Sequence, residues 1–467
     1  MRNQKSTTPA PEPSPTARSA PPTAIPAQDK SAAALASRRE AHFFFRVVPL
    51  LRFALAVFTV SLAGRAWAED HVLEERPIFF SDAAPNDPVT RLAQRAAANE
   101  VNFVGSDLNV LRAVLRELKI PIQSQIVVFS RTSLQARIIR PNNPRAMYFS
   151  ENAYVGWVPG GLIEITAIDP ELGPISYAFD AREAREARPA FVRDVSCVGC
   201  HGGSSTDGNP GRLFAHSLFT AITGEPLLRS TGITITEQTP FARRWGGWYV
   251  TGYTGTEPHR GNVFSRERDG RIDFTPTDAR PMELSRYFTT SRYLAPTSDV
   301  VALLVFEHQL SMHNSFARAA HRVRLLAKES PASAASPELL AGAVEDVVDH
   351  LLFRSAAPLP DGVEGSDGFR EAFLRGAQRD ARGRSLKDFS LQGRLFANRC
   401  SFLIYTEAFT ALNATLKNLI LDRLHAALSE TDPNSRYAYI EAEEKQRIRE
   451  ILADTHPDFR ARFAGSP

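Results

Sequence analysis

Five consecutive residues constrain this chain more than any other part of its sequence: Cys197, Val198, Gly199, Cys200 and His201. A C-x-x-C-H sequence is the attachment signature of a c-type haem. Two thiols at this spacing can reach the two vinyl groups of one porphyrin, and the adjacent imidazole can reach its iron. The motif therefore predicts one covalent haem c, with Cys197 and Cys200 as thioether ligands and His201 as the proximal iron ligand.

Two other uses of a cysteine pair fit the sequence less well. A zinc site needs a second pair of ligands, and the remaining cysteine, Cys400, stands alone 200 positions further on. A redox dithiol needs a thioredoxin-like βαβ context, which the surrounding pattern does not provide. Cys400 lies in an apolar segment, residues 396–405, that has helical spacing, so we expect a buried and unreactive thiol on a helix.

The first 68 residues have the features of an export signal. Residues 1–30 contain seven prolines among Ala, Ser and Thr, a composition that favours disorder. Arg52 precedes the apolar run 53–63, and Ala66 and Ala68 occupy the positions that a signal peptidase reads. We predict cleavage after Ala68 and a periplasmic mature protein, with an uncleaved anchor beginning near Phe43 as the alternative. Covalent haem attachment takes place on that exported side of the membrane.

The charge balance argues against a nucleic-acid partner. The chain has 55 basic and 52 acidic side chains, but residues 1–68 hold nine of the basic and three of the acidic ones. The remainder therefore has 46 basic and 49 acidic groups, a net charge of −3. Nucleic-acid binding depends on a basic surface, so it has no support here. No segment after residue 68 looks membrane-spanning, so we expect no stable membrane span after cleavage.

The strand and helix signals separate along the chain. Apolar residues at helical spacing predict helices over 87–100 and 107–119, with Asp107 as the N-cap of the second. Short Val-, Ile-, Tyr- and Phe-rich runs between turn residues predict antiparallel strands. These runs lie at 126–129, 147–149, 154–158 and 162–168, and, after the C-x-x-C-H motif, at 213–222, 232–236, 248–253 and 262–264.

After Pro296 the pattern becomes helical and remains so. Helices are predicted over 297–328, 338–353, 369–379, 391–411, 414–428 and 439–454. The fold class predicted from these patterns is α+β, with a mixed, strand-rich, haem-bearing region followed by an all-helical C-terminal region. The predicted domains are a disordered extension with signal peptide at 1–68, the haem-bearing α+β region at 69–295 and the helical region at 296–467.

The sixth position of the iron decides what a haem can do, and the sequence offers several candidates for it. Met312 and His308 lie four residues apart on the apolar face of the predicted helix 297–328. His259 lies in a predicted loop and His216 on a predicted strand. Ordinary core packing stays the alternative for the two helical residues. Guanidinium groups match carboxylates, so we also name Arg243 and Arg244 as candidate partners of the haem propionates, with a solvated pair as the alternative.

Several short motifs together resemble one known family. They are residues 143–149 (NPRAMYF), 154–158 (YVGWV), 197–202 (CVGCHG), 244–252 (RWGGWYVTG) and 307–314 (EHQLSMHN). The chain resembles secreted, single-haem bacterial proteins described as cytochrome c domain-containing, over about residues 120–455. The resemblance implies haem attachment at the C-x-x-C-H motif and electron transfer. Pro189 and the strand-like residues 190–192 stand where a small cytochrome c has a helix, so we do not expect a small all-α cytochrome c module.

These observations lead to one favoured function and two rivals. We expect a periplasmic mono-haem c-type cytochrome that transfers single electrons and is more an electron carrier than an enzyme with its own substrate. The first rival is a haem-based redox or gas sensor, or a haem enzyme, with an open sixth position. The second is a structural or partner-docking protein without haem. No sequence feature identifies the redox partner protein.

Overall fold

An antiparallel sheet lies at the centre of the described structure. The computed structural model describes residues 80–182, 191–202, 211–227, 232–277, 280–366 and 368–463, so the predicted leader lies outside the described residues. Within them the sheet has seven strands in the order β6-β5-β4-β3-β2-β1-β9. Their bounds are β1 Ile126–Val128, β2 Arg145–Phe149, β3 Ala153–Trp157, β4 Ile163–Asp169, β5 Gly173–Phe179, β6 Val192–Arg193 and β9 Trp248–Tyr249.

The alternation of side chains along these strands produces two buried faces. Val127, Val155 and Ile165 belong to a core formed with the first two helices, α1 Pro88–Ala97 and α2 Asp107–Glu117. Ile126 and Tyr154, which point the other way, join the core of the C-terminal helices. Successive residues of a strand point to opposite faces of a sheet, so one period-2 pattern supplies both cores.

Helix α4, Val300–Glu329, is the central element of the second core. Asp299 caps it, since its carboxylate accepts hydrogen bonds from the backbone N–H groups of Val301 and Ala302. Residues 300–317 are all buried, polar ones included. A helix buried on all sides must pair every polar side chain it carries, and these pairings determine much of the site described below.

The remaining helices of the C-terminal region follow α4 along the chain. They are α5 Pro331–Ala334, α6 Pro337–Leu351, α7 Phe369–Leu374, α8 Glu407–Thr410, α9 Ala414–Ser429, α10 Ala442–Thr455 and α11 Pro457–Phe463. The one-turn helix α3, Val198–His201, comes earlier in the chain, between β6 and β7. Short strand pairs complete the fold: β7 Ala215–Ser217 with β8 Ile233–Ile235, β10 Tyr253–Thr254 with β13 Val363–Glu364, and β11 Arg266–Arg268 with β12 Arg271–Asp273. No described helix has both the length and the apolar character that crossing a membrane requires.

The fold class predicted from the sequence is confirmed: the protein is α+β with a helical C-terminal region, and it is not a small all-α module. One strand of two residues, β13, lies within that helical region. The predicted strands 126–129, 147–149, 154–158 and 162–168 coincide with β1 to β4 to within two residues at each end. Their period-2 patterns and flanking turn residues were sufficient to place them.

Other predicted elements are wrong. The cap of α2 is Ser106, whose hydroxyl accepts from the Asn109 N–H, and Asp107 is the first helical residue. Residues 262–264 form no strand, and the strand predicted at 213–222 is limited to residues 215–217. Residues 391–411 are not one helix: they contain bends, a 3-10 helix at Phe402–Tyr405 and the short α8. Cys400 is fully buried, as expected, but lies in a bend before that 3-10 helix.

Candidate functional site

The C-x-x-C-H motif follows the edge strand of the sheet. A 3-10 helix, Val195–Cys197, leads directly into α3, which ends at His201. The Asp194 N–H donates to the Ser176 carbonyl of β5 at 3.0 Å, which fixes the start of this segment against the sheet. Cys197 is half-buried and Cys200 is exposed, and both thiols are free. A strand therefore precedes the motif, in place of the helix of a small cytochrome c.

The imidazole of His201 is held by one backbone carbonyl. His201 Nδ1 lies 2.7 Å from the Arg212 carbonyl oxygen, and the Arg212 N–H donates back to the His201 carbonyl at 2.8 Å. A carbonyl oxygen can only accept, so Nδ1 carries the proton and Nε2 keeps its lone pair. Burial lowers the pKa of His201, which keeps the ring neutral at neutral pH. Metal-ligating histidines commonly have this arrangement.

Helix α4 fixes the segment that holds His201. The Asn314 side chain accepts from the Leu213 N–H at 2.8 Å and donates to the Leu213 carbonyl at 2.7 Å. Leu213 adjoins Arg212, so this pair of bonds positions the carbonyl that binds the imidazole. The next residue, Phe214, stacks on His201 with ring centroids 4.4 Å apart and planes 12° from parallel. A stacked neighbour covers the face of the imidazole and leaves its edge, where Nε2 lies, uncovered by that ring.

A polar patch of the sheet lies beside the motif. The Arg145 guanidinium crosses the sheet over Gly156, where a Cβ atom would overlap it, and forms an ion pair with Glu164. Both charges act on the His201 imidazole, since Arg145 lowers its pKa and Glu164 raises it. Burial raises the pKa of the Cys197 thiol, and the Asp194 carboxylate adds to this effect. The residues of this patch were not identified from the sequence, although Arg145 and Gly156 belong to the motifs of the resemblance.

Among the candidate sixth ligands, the structure brings His216 close to the motif. Its ring lies 4.7 Å from that of Phe214, which also stacks on His201. Burial lowers the pKa of His216, and a hydrogen bond to the Ile233 backbone offsets this only in part. Phe214 thus contacts the rings of both histidines on the segment that leads into β7.

The other candidates have contacts elsewhere in the fold. His308 Nε2 is 2.8 Å from the Ser401 hydroxyl, and the His308 ring stacks on Phe353 in the helical region. Met312 is fully buried in the apolar core around α4. His259 is fully buried, its Nδ1 accepts from the Gly261 N–H at 3.0 Å, and burial lowers its pKa to about 4. These contacts favour packing roles, which the sequence had left open for His308 and Met312.

The two arginines proposed for the propionates differ in their surroundings. Arg243 is exposed, and its carbonyl accepts from the Ser217 hydroxyl beside β7. The Arg244 guanidinium is buried and donates to Glu307 at 2.6 Å and to the backbone carbonyls of Thr239 and Glu237. Every nitrogen of Arg244 is used within the fold, so its contacts support a structural role and not a propionate pair.

The donor set fits a covalently held haem, while the space that the described residues enclose beside it is too small for a porphyrin. Two free thiols three positions apart and a neutral imidazole with an unprotonated Nε2 form the required set of ligands. The cavity beside Cys197 and His201 measures only about 10 Å³, whereas ligand pockets are typically about 300–1,000 Å³. The exposed Cys200 thiol shows that the motif is accessible from solvent.

Comparisons with protein-family models, with curated proteins and with solved structures gave no match to this chain. Within the described ranges, no group of three or more His, Cys, Asp or Glu side chains is arranged to hold a metal ion. The C-x-x-C-H motif and the geometry around it are therefore the main indications of function.

Proposed function

We propose that this protein is a periplasmic mono-haem c-type cytochrome that transfers single electrons, with Cys197 and Cys200 attached to the porphyrin and His201 on the iron. The observation that carries the proposal is the hydrogen bond from His201 Nδ1–H to the Arg212 carbonyl. It fixes the tautomer that leaves Nε2 free to bind iron, in a residue directly after two free cysteines. A bound haem would supply a one-electron iron couple.

The surrounding residues position the imidazole and adjust its basicity. A carbonyl that accepts from Nδ1–H makes the opposite nitrogen a stronger donor, which favours the oxidised iron. Asn314 holds the segment that carries this carbonyl. Arg145 and Glu164 place opposite charges near the ring, so the ion pair limits the net field at the site. Asn314, Arg145 and Glu164 therefore have a positioning role, which they exert through His201.

His216 is the sixth ligand that we favour, because it lies close to the motif: Phe214 contacts both its ring and that of His201. One observation supports the rival function. His308 contacts Ser401, Met312 packs in the α4 core, and His259 accepts from the Gly261 N–H. These contacts favour a haem site in which none of the three residues occupies the sixth position of the iron. An open sixth position would suit a gas sensor or a haem enzyme.

The test is to express the full chain with a cytochrome c maturation apparatus and to record its optical spectra. We expect haem that remains with the protein after acid-acetone extraction, and a ferrous spectrum that carbon monoxide does not change. A spectrum that shifts with carbon monoxide would support the open site instead. Exported, folded protein without haem would refute both readings and leave a docking role.

Three variants make the assignment specific. His201→Ala should abolish the low-spin spectrum, and Cys197→Ser should leave a single thioether bond. Cys400→Ala is the matched control, because it removes the third cysteine, which is fully buried away from solvent. If Cys400→Ala released the haem, the assignment of the ligands would be wrong.

A further inference from the structure

A second cavity, of about 470 Å³, lies in the helical region and is lined by His308 and Glu237. Its volume is in the range of small-molecule sites. Its wall is apolar over Leu304, Phe353 and Phe396 and carries several guanidinium groups. The proposed haem function makes no use of this cavity.

Two buried polar atoms face each other in this cavity. Glu237 Oε2 and His308 Nδ1 are 3.6 Å apart, too far for a direct hydrogen bond, and neither atom has another hydrogen-bond partner among the described residues. Glu237 is 7% exposed and His308 is 1% exposed. A buried polar atom that lacks a partner is destabilising, so this pair is suited to a ligand group that bonds to both atoms.

The wall also carries more positive than negative charge. Arg394 and Arg399 share the single carboxylate of Glu444. Arg354 and Arg436 share Asp349 in the same way. Glu345, which Arg436 also contacts, is paired with Arg423. With Arg244, its partner Glu307 and the wall carboxylate of Glu237 included, six guanidinium groups meet five carboxylates. The excess of one positive charge at the cavity wall favours an anionic ligand, and guanidinium forks match carboxylates best.

The backbone at the cavity is strained. Phe353 and Ser355 have φ angles of +56° and +62°, a region that is unfavourable for a residue with a side chain. The strained segment is tied to Glu237, because the Ala357 N–H donates to the Glu237 carbonyl at 2.8 Å. Strain of this kind persists where the surrounding structure enforces it, and it commonly occurs at ligand sites.

The same histidine contacts a serine, but this arrangement does not form a nucleophilic site. His308 Nε2 is 2.8 Å from Ser401 Oγ, which gives the order Ser, His, Glu found in hydrolases. Ser401 is fully buried, and its hydroxyl accepts from the Leu403 N–H as the cap of the 3-10 helix. The cavity lining includes His308 and does not include Ser401, so the structure favours binding over acyl transfer.

We propose that this cavity binds a small organic acid with an apolar body, its carboxylate on the arginine wall and a hydroxyl group between Glu237 and His308. Burial raises the pKa of Glu237, but its polar neighbours, among them His308 and Ser311, lower it on balance. The ionised carboxylate accepts from the ligand hydroxyl. The apolar residues of the wall cover the body of the ligand, so an anion without such a body, like phosphate, is excluded.

The test is calorimetric titration of the full chain with 4-hydroxybenzoate and the longer 4-hydroxycinnamate, against benzoate and inorganic phosphate. We expect saturable one-to-one binding of at least one hydroxylated acid, about tenfold weaker binding of its analogue without the hydroxyl, and no binding of phosphate. Absence of saturable binding of every organic acid at millimolar concentration would overturn the proposal. Phosphate that competes for the site would overturn it as well.

Two variants locate the binding in the cavity. Arg354→Gln removes a wall charge and should weaken both kinds of acid about tenfold. Glu237→Gln should weaken the hydroxylated acid and leave benzoate unchanged. Arg116→Gln, at an exposed position on α2, is the matched control. If Glu237→Gln does not fold by circular dichroism, Ala356→Leu fills the cavity from its half-buried loop instead. Unchanged affinity in the folded cavity variants would refute the assignment.

Discussion

Three buried histidines predict a loss of stability in mild acid. His313, His259 and His321 are at most 5% exposed, and burial lowers their pKa values to about 3, 4 and 4. The contact of His259 is independent evidence, because a Nδ1 that accepts from the Gly261 N–H cannot also carry a proton. All three rings are neutral in the folded protein at neutral pH.

The size of the effect follows from proton linkage. The unfolded chain binds these protons with a pKa of about 6.5, so between that pH and the folded pKa values the unfolded state holds more protons. Stability therefore falls as the pH falls through this window. At pH 5 the loss is about 2 kcal/mol for each histidine, or about 6 kcal/mol for the three. A domain is typically stable by about 5–15 kcal/mol, so the loss is large.

The assay is urea unfolding at several pH values between 7.5 and 5. The carboxylates whose pKa values are lowered by arginines, such as Glu444, lose their contribution only at lower pH, so they do not obscure this window. His313→Gln should remove about one proton from the pH dependence, about 1.4 kcal/mol per pH unit. Tyr154→Phe removes the hydroxyl that lies 2.7 Å from His313 Nδ1 and should lower stability about equally at each pH.

Two results would refute this reasoning. The first is a wild-type protein whose unfolding midpoint is constant from pH 7.5 to 5. The second is a His313→Gln variant with the pH dependence of the wild type, since the protons would then bind elsewhere.

Three further substitutions test the supports of the site, each by its unfolding midpoint. Asn314→Leu leaves both backbone groups of Leu213 unpaired and should cost about 2–6 kcal/mol; a neutral result would contradict the positioning role. Asp299→Ala removes the cap of α4 and should cost at least about 1 kcal/mol, whereas an unchanged midpoint would show that the cap is dispensable. Gly156→Ala places a methyl group against the Arg145 guanidinium and should destabilise the protein and shift the potential of the proposed haem; an unshifted potential would mean that the ion pair does not act on the proposed iron site.

The sequence predicted those parts of the fold whose signals are local. Side chains of strands β2 to β4 alternate between two buried faces, and turn residues separate the strands, so the period-2 pattern and the turn residues predict the same strand bounds. The segment 391–411 has helical spacing but follows other constraints. Leu391 and Gly393 have φ angles of +55° and +66°, and the Ser401 N–H donates to the distant Leu351 carbonyl. Long-range hydrogen bonds of this kind override local propensity and cannot be read from spacing.

The candidate site likewise has residues that the sequence predicts and groups that it does not. Cys197, Cys200 and His201 lie within five consecutive residues, so spacing alone made them candidates, but the Arg212 carbonyl that orients the imidazole is a backbone group and has no sequence signal. Asn314 is 113 positions from His201 and acts through Leu213. The sequence signal for Asn314 was its polar side chain on an otherwise apolar helix, because a buried polar residue needs a hydrogen-bond partner.

The motif at residues 307–314 of α4 is better explained by packing than by ligation of the proposed iron. Glu307 accepts from Arg244 and from Trp245 Nε1, both at 2.6 Å, and Asn314 binds the segment of His201. These two residues are seven positions apart, two turns of one helix, so they lie on the same side of α4. One rigid helix thus connects residues 244–245 with the segment that holds the imidazole. His308 and Met312 lie between these two contacts, which accounts for their burial without any role on the iron.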